Sequence, residues 1–162
     1  MMKANYHTHT PRCHHAVGSE REYIEAAVKQ GFKILGFLDH TPQPYPSDYT
    51  SHIRMGMNEL ADYTETLAEL REEYKDRIRI YIGYEVEYFP KYFDTLIKEL
   101  KKFPLDYIIQ GQHHVPDEIT GFYTGFKTDS TDDLKAYVDL TVEGMKTGLF
   151  TYLAHPDLIN FT

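Results

Sequence analysis

Lys33-Ile34-Leu35-Gly36-Phe37-Leu38-Asp39-His40 is the stretch on which the fold turns. Lys33 to Leu38 reads as a buried strand of a parallel sheet, and it runs directly into two polar residues capable of chemistry. Upstream, Ser19 to Gln30 has helical spacing of Tyr23, Ile24, Ala27 and Val28. Ser19 with Glu22 three residues later resembles a capping box, and Gly31 supplies the stop. Lys3 to Thr8 is a short extended run before that helix, so the chain opens with a βα unit followed by a second strand.

Downstream, a loop rich in proline (Pro42, Pro44, Pro46) leads to a helix over Asn58 to Tyr74. The alternation then continues with strand Arg79 to Val86, helix Tyr92 to Lys102, strand Tyr107 to Gly111, helix Thr131 to Thr147 and strand Phe150 to Ala154. Such alternation implies parallel strands joined by crossover helices, as an open doubly wound sheet or a barrel. No glycine-rich phosphate loop joins a strand to a helix, which favours the barrel over the nucleotide-binding open sheet. No linker or repeat divides the chain, so residues 1–162 are expected to form one domain. Five βα strands do not close a barrel of about eight. The chain is therefore expected to be the amino-terminal part of a larger, carboxyl-terminally truncated fold.

Composition restricts the function. The 162 residues are 41% hydrophobic and 26% charged, as in a globular domain. The formal charge of -8 argues against a basic nucleic-acid-binding surface and for a small substrate. No apolar run approaches the ~20 residues of a membrane span, and the first residues do not form a signal peptide. The expected location is the cytoplasm. Cys13 is the single cysteine, so an internal disulfide is impossible.

Nine histidines remain to be explained. They gather where the expected strands end, the face on which parallel α/β barrels build active sites. His7 and His9, two apart on an extended segment, project to the same side. His14 and His15 follow strand one, His40 follows strand two, Glu85 lies in strand three, His113 and His114 follow strand four, and His155 follows strand five. Imidazoles with an occasional carboxylate suit zinc, iron or manganese, and Glu85 can bridge two ions. His52 reads as a solvated loop histidine, and Cys13 as a bystander.

Taken together, His7-Thr8-His9-Thr10-Pro11 with His15, Gly36-Phe37-Leu38-Asp39-His40, Gly83-Tyr84-Glu85, His113 and Ala154-His155-Pro156-Asp157 resemble the PHP (polymerase and histidinol phosphatase) family. Within it, His9-Thr10-Pro11-Arg12-Cys13-His14-His15 and Glu85-Val86-Glu87-Tyr88-Phe89-Pro90 are most similar to the histidinol phosphatases. The resemblance implies a distorted (βα)7 barrel, of which this chain covers about the first five βα strands, with three divalent ions at the carboxyl ends of the strands. In that pattern His7, His9 and Glu85 hold one ion. Glu85 bridges to a second held by His113 and His155, and His15 with His40 hold a third. His114 and Glu87 are the alternatives to His113 and Glu85. An Asp-x-His motif that normally completes the site lies beyond the end of this chain.

The implied activity is hydrolysis of L-histidinol phosphate to L-histidinol and phosphate, in histidine biosynthesis. Closely spaced cations bind the phosphoryl oxygens and activate a bridging water. Glu85 and His40 are the candidate catalytic groups, with Arg12 and Arg54 as phosphate clamps because a guanidinium can hold two oxygens. The rivals are a family phosphoesterase acting on nucleotides or DNA ends, and a non-catalytic metal-binding fragment.

Overall fold

Ser19 caps the first helix as its sequence requires: its hydroxyl accepts from the Glu22 amide, and the Glu22 carboxylate accepts from the Ser19 amide at 2.6 Å. That helix, α1 (Glu20–Lys29), follows strand β1 (Lys3–Thr8) and precedes β2 (Phe32–His40). The computed structural model describes residues 3–46 and 48–162. Beyond β2 come α2 (Leu60–Tyr74), β3 (Arg79–Val86), α3 (Pro90–Leu100), β4 (Tyr107–Gln110), a hairpin of β5 (His114–Val115) and β6 (Phe122–Tyr123), and α4 (Thr131–Lys146).

Strands β1, β2, β3 and β4 pair side by side in that order, all parallel. The result is an open portion of a parallel α/β barrel. Side chains alternate across its strands. Leu35 and Phe37 of β2, with Ile80, Ile82 and Tyr84 of β3, pack outward against Ile24 of α1, Tyr63 and Leu67 of α2, and Phe93 and Leu96 of α3. Leu38 turns the other way, into a smaller cluster with Ile109 and Ala154. On that inner face the register sets His40 beside Glu85.

Element boundaries shift where local chemistry decides them. Helix α3 begins at Pro90, ahead of the expected Tyr92, because proline is pre-organised for a first turn. The start expected at Asn58 is a short 3₁₀ turn, Met57–Glu59, closed by the Glu59 carboxylate on the Gly56 amide at 2.7 Å. The expected fifth strand is the larger correction. Residues 150–154 run parallel to β4 but form only a bridge between Gln110 and Leu153, with Thr151 N to Ile108 O at 2.9 Å and Ala154 N to Gln110 O at 2.8 Å. A third bond, Gln110 N to Tyr152 O at 3.1 Å, completes this short parallel contact before the chain turns at Gly111 toward the β5–β6 hairpin. Among the described residues, no helix is long and apolar enough to cross a membrane.

Candidate metal centre

Glu85 is the hub of the strand ends. Its carboxylate is 1% exposed and histidines from four other segments converge on it. Oε2 lies 3.2 Å from His7 Nε2, 3.5 Å from His9 Nε2 and 3.0 Å from His40 Nδ1. Oε1 lies 2.7 Å from His155 Nε2 and 3.6 Å from His113 Nε2. His15 completes the group through its Nε2, 3.2 Å from His40 Nε2. Gly111 leaves room for this carboxylate, since a β-carbon there would fall on Oε1. His155 has a φ of 30°, uncommon for a residue other than glycine, in the backbone that delivers its ring to Glu85.

Sets of donor atoms lie within 4.8 Å of one another: His7, His9 and Glu85; His9, His15 and His40; His40, Glu85 and His113. In and beside these sets, His7 Nε2, His9 Nδ1, Glu85 Oε2, His113 Nδ1 and His155 Nδ1 are buried without a hydrogen bond. Glu85 Oε2 is thus near three imidazoles, yet in hydrogen-bonding geometry with none. A buried polar atom left in that state is costly. Convergent imidazole and carboxylate donors of this kind fit divalent cations.

The electrostatics follow from burial and close charge. Burial alone would raise Glu85, but His155, His40 and His7 hold its carboxyl well below the usual range. Burial depresses His40 to about 4 despite Glu85. Burial also works against charge on His9, but the contacts to Asp39, Cys13 and Glu85 prevail and raise it to about 10.

Asp39 and Cys13, which the sequence did not single out for the site, lie beside these donors and form with His9 a further set of atoms within 4.8 Å of one another. Asp39, fully buried, lies 3.5 Å from His9 Nδ1 and accepts from both the amide and hydroxyl of Thr10. Cys13 Sγ is 2.7 Å from His15 Nδ1, which leaves Nε2 to face His40. The adjacency of Asp39 to His40, and the placing of Cys13 two residues before His15, were the available signals.

Other expected residues sit elsewhere. The Arg12 guanidinium is on the outer side, bound to Glu20 and, at 2.6 Å, to Asp62. Arg54 is wholly buried, its guanidinium shared by Glu87, Glu118 and the Thr41 carbonyl. Neither lines the cavity over the histidines, so the geometry does not offer them to a phosphate there. Glu87 is engaged by Arg54 and by the amides of His113 and His114, with its Oε1 3.7 Å from His113 Nδ1, and is itself a member of none of the donor sets. His14 and His52 are exposed. The cavity measures about 500 Å³, and Ile53, His114, Tyr123 and Leu158 form its wall beyond the donors.

Comparison with known proteins gives a consistent picture. Residues 5–162 match the PHP domain model. A Deinococcus radiodurans protein described as "Probable histidinol-phosphatase" is 30% identical over 159 residues, covering 94% of this chain and 59% of that protein. The chain thus spans somewhat more than half the length of this relative. A crystal structure from Listeria monocytogenes superposes with a TM-score of 0.79 at 20% identity, over 97% of this chain and 68% of the other. The Lactococcus lactis histidinol phosphate phosphatase, crystallised with zinc, L-histidinol and phosphate, gives a TM-score of 0.75 at 21% identity, over 97% and 59%. At these identities the superpositions establish the barrel fold.

Proposed function

Because the chain belongs to the PHP domain family, we propose that it forms the metal-binding part of a phosphomonoesterase that hydrolyses L-histidinol phosphate to L-histidinol and phosphate. The observation that carries this reading is the buried Glu85 carboxylate, within 3.6 Å of imidazoles from five separate positions along the chain. His7, His9, His15, His40, Glu85, His113 and His155 are proposed to hold three divalent ions, zinc, iron or manganese. Bound ions of this kind supply charge neutralisation for phosphoryl oxygens and a nucleophile available at neutral pH.

The chain's own residues supply the rest. Glu85 would offer its two carboxylate oxygens to bound cations, and its ionised state is secured by the surrounding histidines. His40, kept neutral by burial, stands at the centre of the cluster, its Nδ1 3.0 Å from Glu85 and its Nε2 3.2 Å from His15. The cavity of about 500 Å³ is large enough for a small aminoalcohol phosphate, and Ile53, Tyr123 and Leu158 give part of its wall an apolar surface. The substrate reading is supported by the similarity to the Deinococcus probable histidinol-phosphatase and to the Lactococcus phosphatase, which was crystallised with L-histidinol and phosphate.

The test is elemental analysis of the purified protein combined with phosphate release from L-histidinol phosphate, nucleoside monophosphates and 5′-phosphorylated oligonucleotides. Preferential release from L-histidinol phosphate by metal-bearing protein is the expected result. Preferential release from a nucleotide or DNA end would move the activity elsewhere in the family.

A further inference from the structure

Two adjacent histidines, His113 and His114, follow β4, and only one reaches the proposed metal centre. His113 Nε2 lies 3.6 Å from Glu85, and its ring is 4.8 Å from that of His40. The His114 ring instead faces Tyr123 at 5.7 Å, on the cavity wall. Glu87 stands at the division. Its Oε2 accepts the backbone amide of His113 at 2.9 Å and that of His114 at 2.7 Å, pinning two successive peptide units to one oxygen. Its Oε1 is taken by Arg54, and the His114 ring lies 3.2 Å from the same oxygen. A carboxylate whose oxygens are so engaged is not available as an ion ligand, in contrast to Glu85, whose Oε2 makes no hydrogen bond.

Arg54 is itself fixed on three sides. Nη1 donates to the Thr41 carbonyl at 3.1 Å and Nε to Glu118 at 2.6 Å, while Nη2 holds Glu87. Glu118 also accepts from Tyr45 at 3.1 Å, Tyr49 at 3.1 Å and Ser51 at 2.6 Å, so the loop between β2 and α2 is gathered on the same carboxylate. Arg54 and Glu87 are each 1% exposed at the side chain. A charge-assisted network buried this deeply holds its members in one geometry.

Building on the metal-centre reading, we infer that Glu87, clamped by Arg54, is a positioning residue that assigns His113, and not His114, to the ion shared with Glu85 and His155. Groups behind a metal ligand commonly affect affinity by about 10–100-fold. The effect here is confined to one ion, because Glu87 touches no other donor. It is independent of any substrate.

The experiment is cobalt(II) titration of the protein against a competing chelator, with the visible absorption of bound cobalt recorded for the parent, E87Q and R54K, and folding checked by circular dichroism. E87Q is expected to bind one cobalt ion about 10–100-fold more weakly, with a changed absorption band, while the remaining ions keep their affinity. R54K retains the positive charge but not the three-way guanidinium, and is expected to weaken the same ion to a lesser degree. It carries the test should E87Q not fold. Folded variants whose cobalt affinities and spectra equal the parent's, or in which all ions weaken by one factor, would overturn the inference and leave the metal centre standing. A parent that takes up no cobalt would remove the metal-centre reading and this inference with it.

Discussion

His155 Nε2 lies 2.7 Å from Glu85 Oε1, a contact between residues 70 positions apart. It joins the segment after α4 to the middle of the sheet and sets one edge of the histidine cluster. The contact exists because residues 150–154 bridge to β4 while β4 pairs with β3, so two lateral steps across the sheet carry His155 to Glu85.

Gly111 is where that geometry is most sensitive. A β-carbon there would fall on Glu85 Oε1, within a carboxylate already surrounded by histidines. Gly111→Ala is expected to lower the thermal transition as well as to reduce bound metal, because the new methyl meets Oε1, Cδ and Cγ of the buried Glu85 side chain, which must shift. Differential scanning calorimetry and elemental analysis on the same sample check both halves.

Metal uptake should depend on pH with a definite sign. The metal-free protein holds His9 at about 10, so at pH 7 this imidazole is protonated and must lose its proton to become a ligand. Affinity for the ion that uses His9 is expected to rise by about tenfold per pH unit below that value, for one displaced proton. Calorimetric titration in buffers of differing ionisation enthalpy measures the proton released. His9→Ala should release one fewer.

The Glu118 latch predicts an acid limb in stability. Burial opposes ionisation of Glu118, but Arg54 and the hydroxyls of Ser51 and Tyr49 prevail and its carboxyl is held below the ordinary value of 4.5. A depressed carboxyl contributes stability that is present above the unfolded-state value and is lost as pH falls through the folded-state value. Glu118→Gln should flatten the decline in the thermal transition below about pH 4.5 without removing it, since Glu85 and Glu87 are depressed as well.

The barrel fragment was legible because its strands are apolar runs separated by helical segments: Lys33 to Leu38 leads into Asp39 and His40, and Arg79 to Val86 carries outer-core residues on one side and Glu85 on the other. The clustered histidines stood out because they lie at or just beyond strand ends, His7 and His40 inside β1 and β2, and His9 and His113 shortly after β1 and β4. The β5–β6 hairpin was not, since strands of two residues each have no periodicity to read. Arg54 was placed in the right loop but with the wrong partners: a guanidinium's reach does not say which carboxylates it will meet, and Glu118 lies 64 residues away. Asp39 escaped for the same reason, as its partner Thr10 is 29 residues distant.

The most direct test of the proposed phosphatase is phosphate release from L-histidinol phosphate by metal-loaded protein, measured beside Glu85→Gln at equal protein concentration with bound metal determined in both. The account predicts release by the parent and, in Glu85→Gln, loss of bound metal together with a fall in release of at least about 100-fold, as expected when a group that supports the charge-stabilising centre is removed. Equal release by the two proteins, or a metal-loaded parent that releases no phosphate, would contradict it.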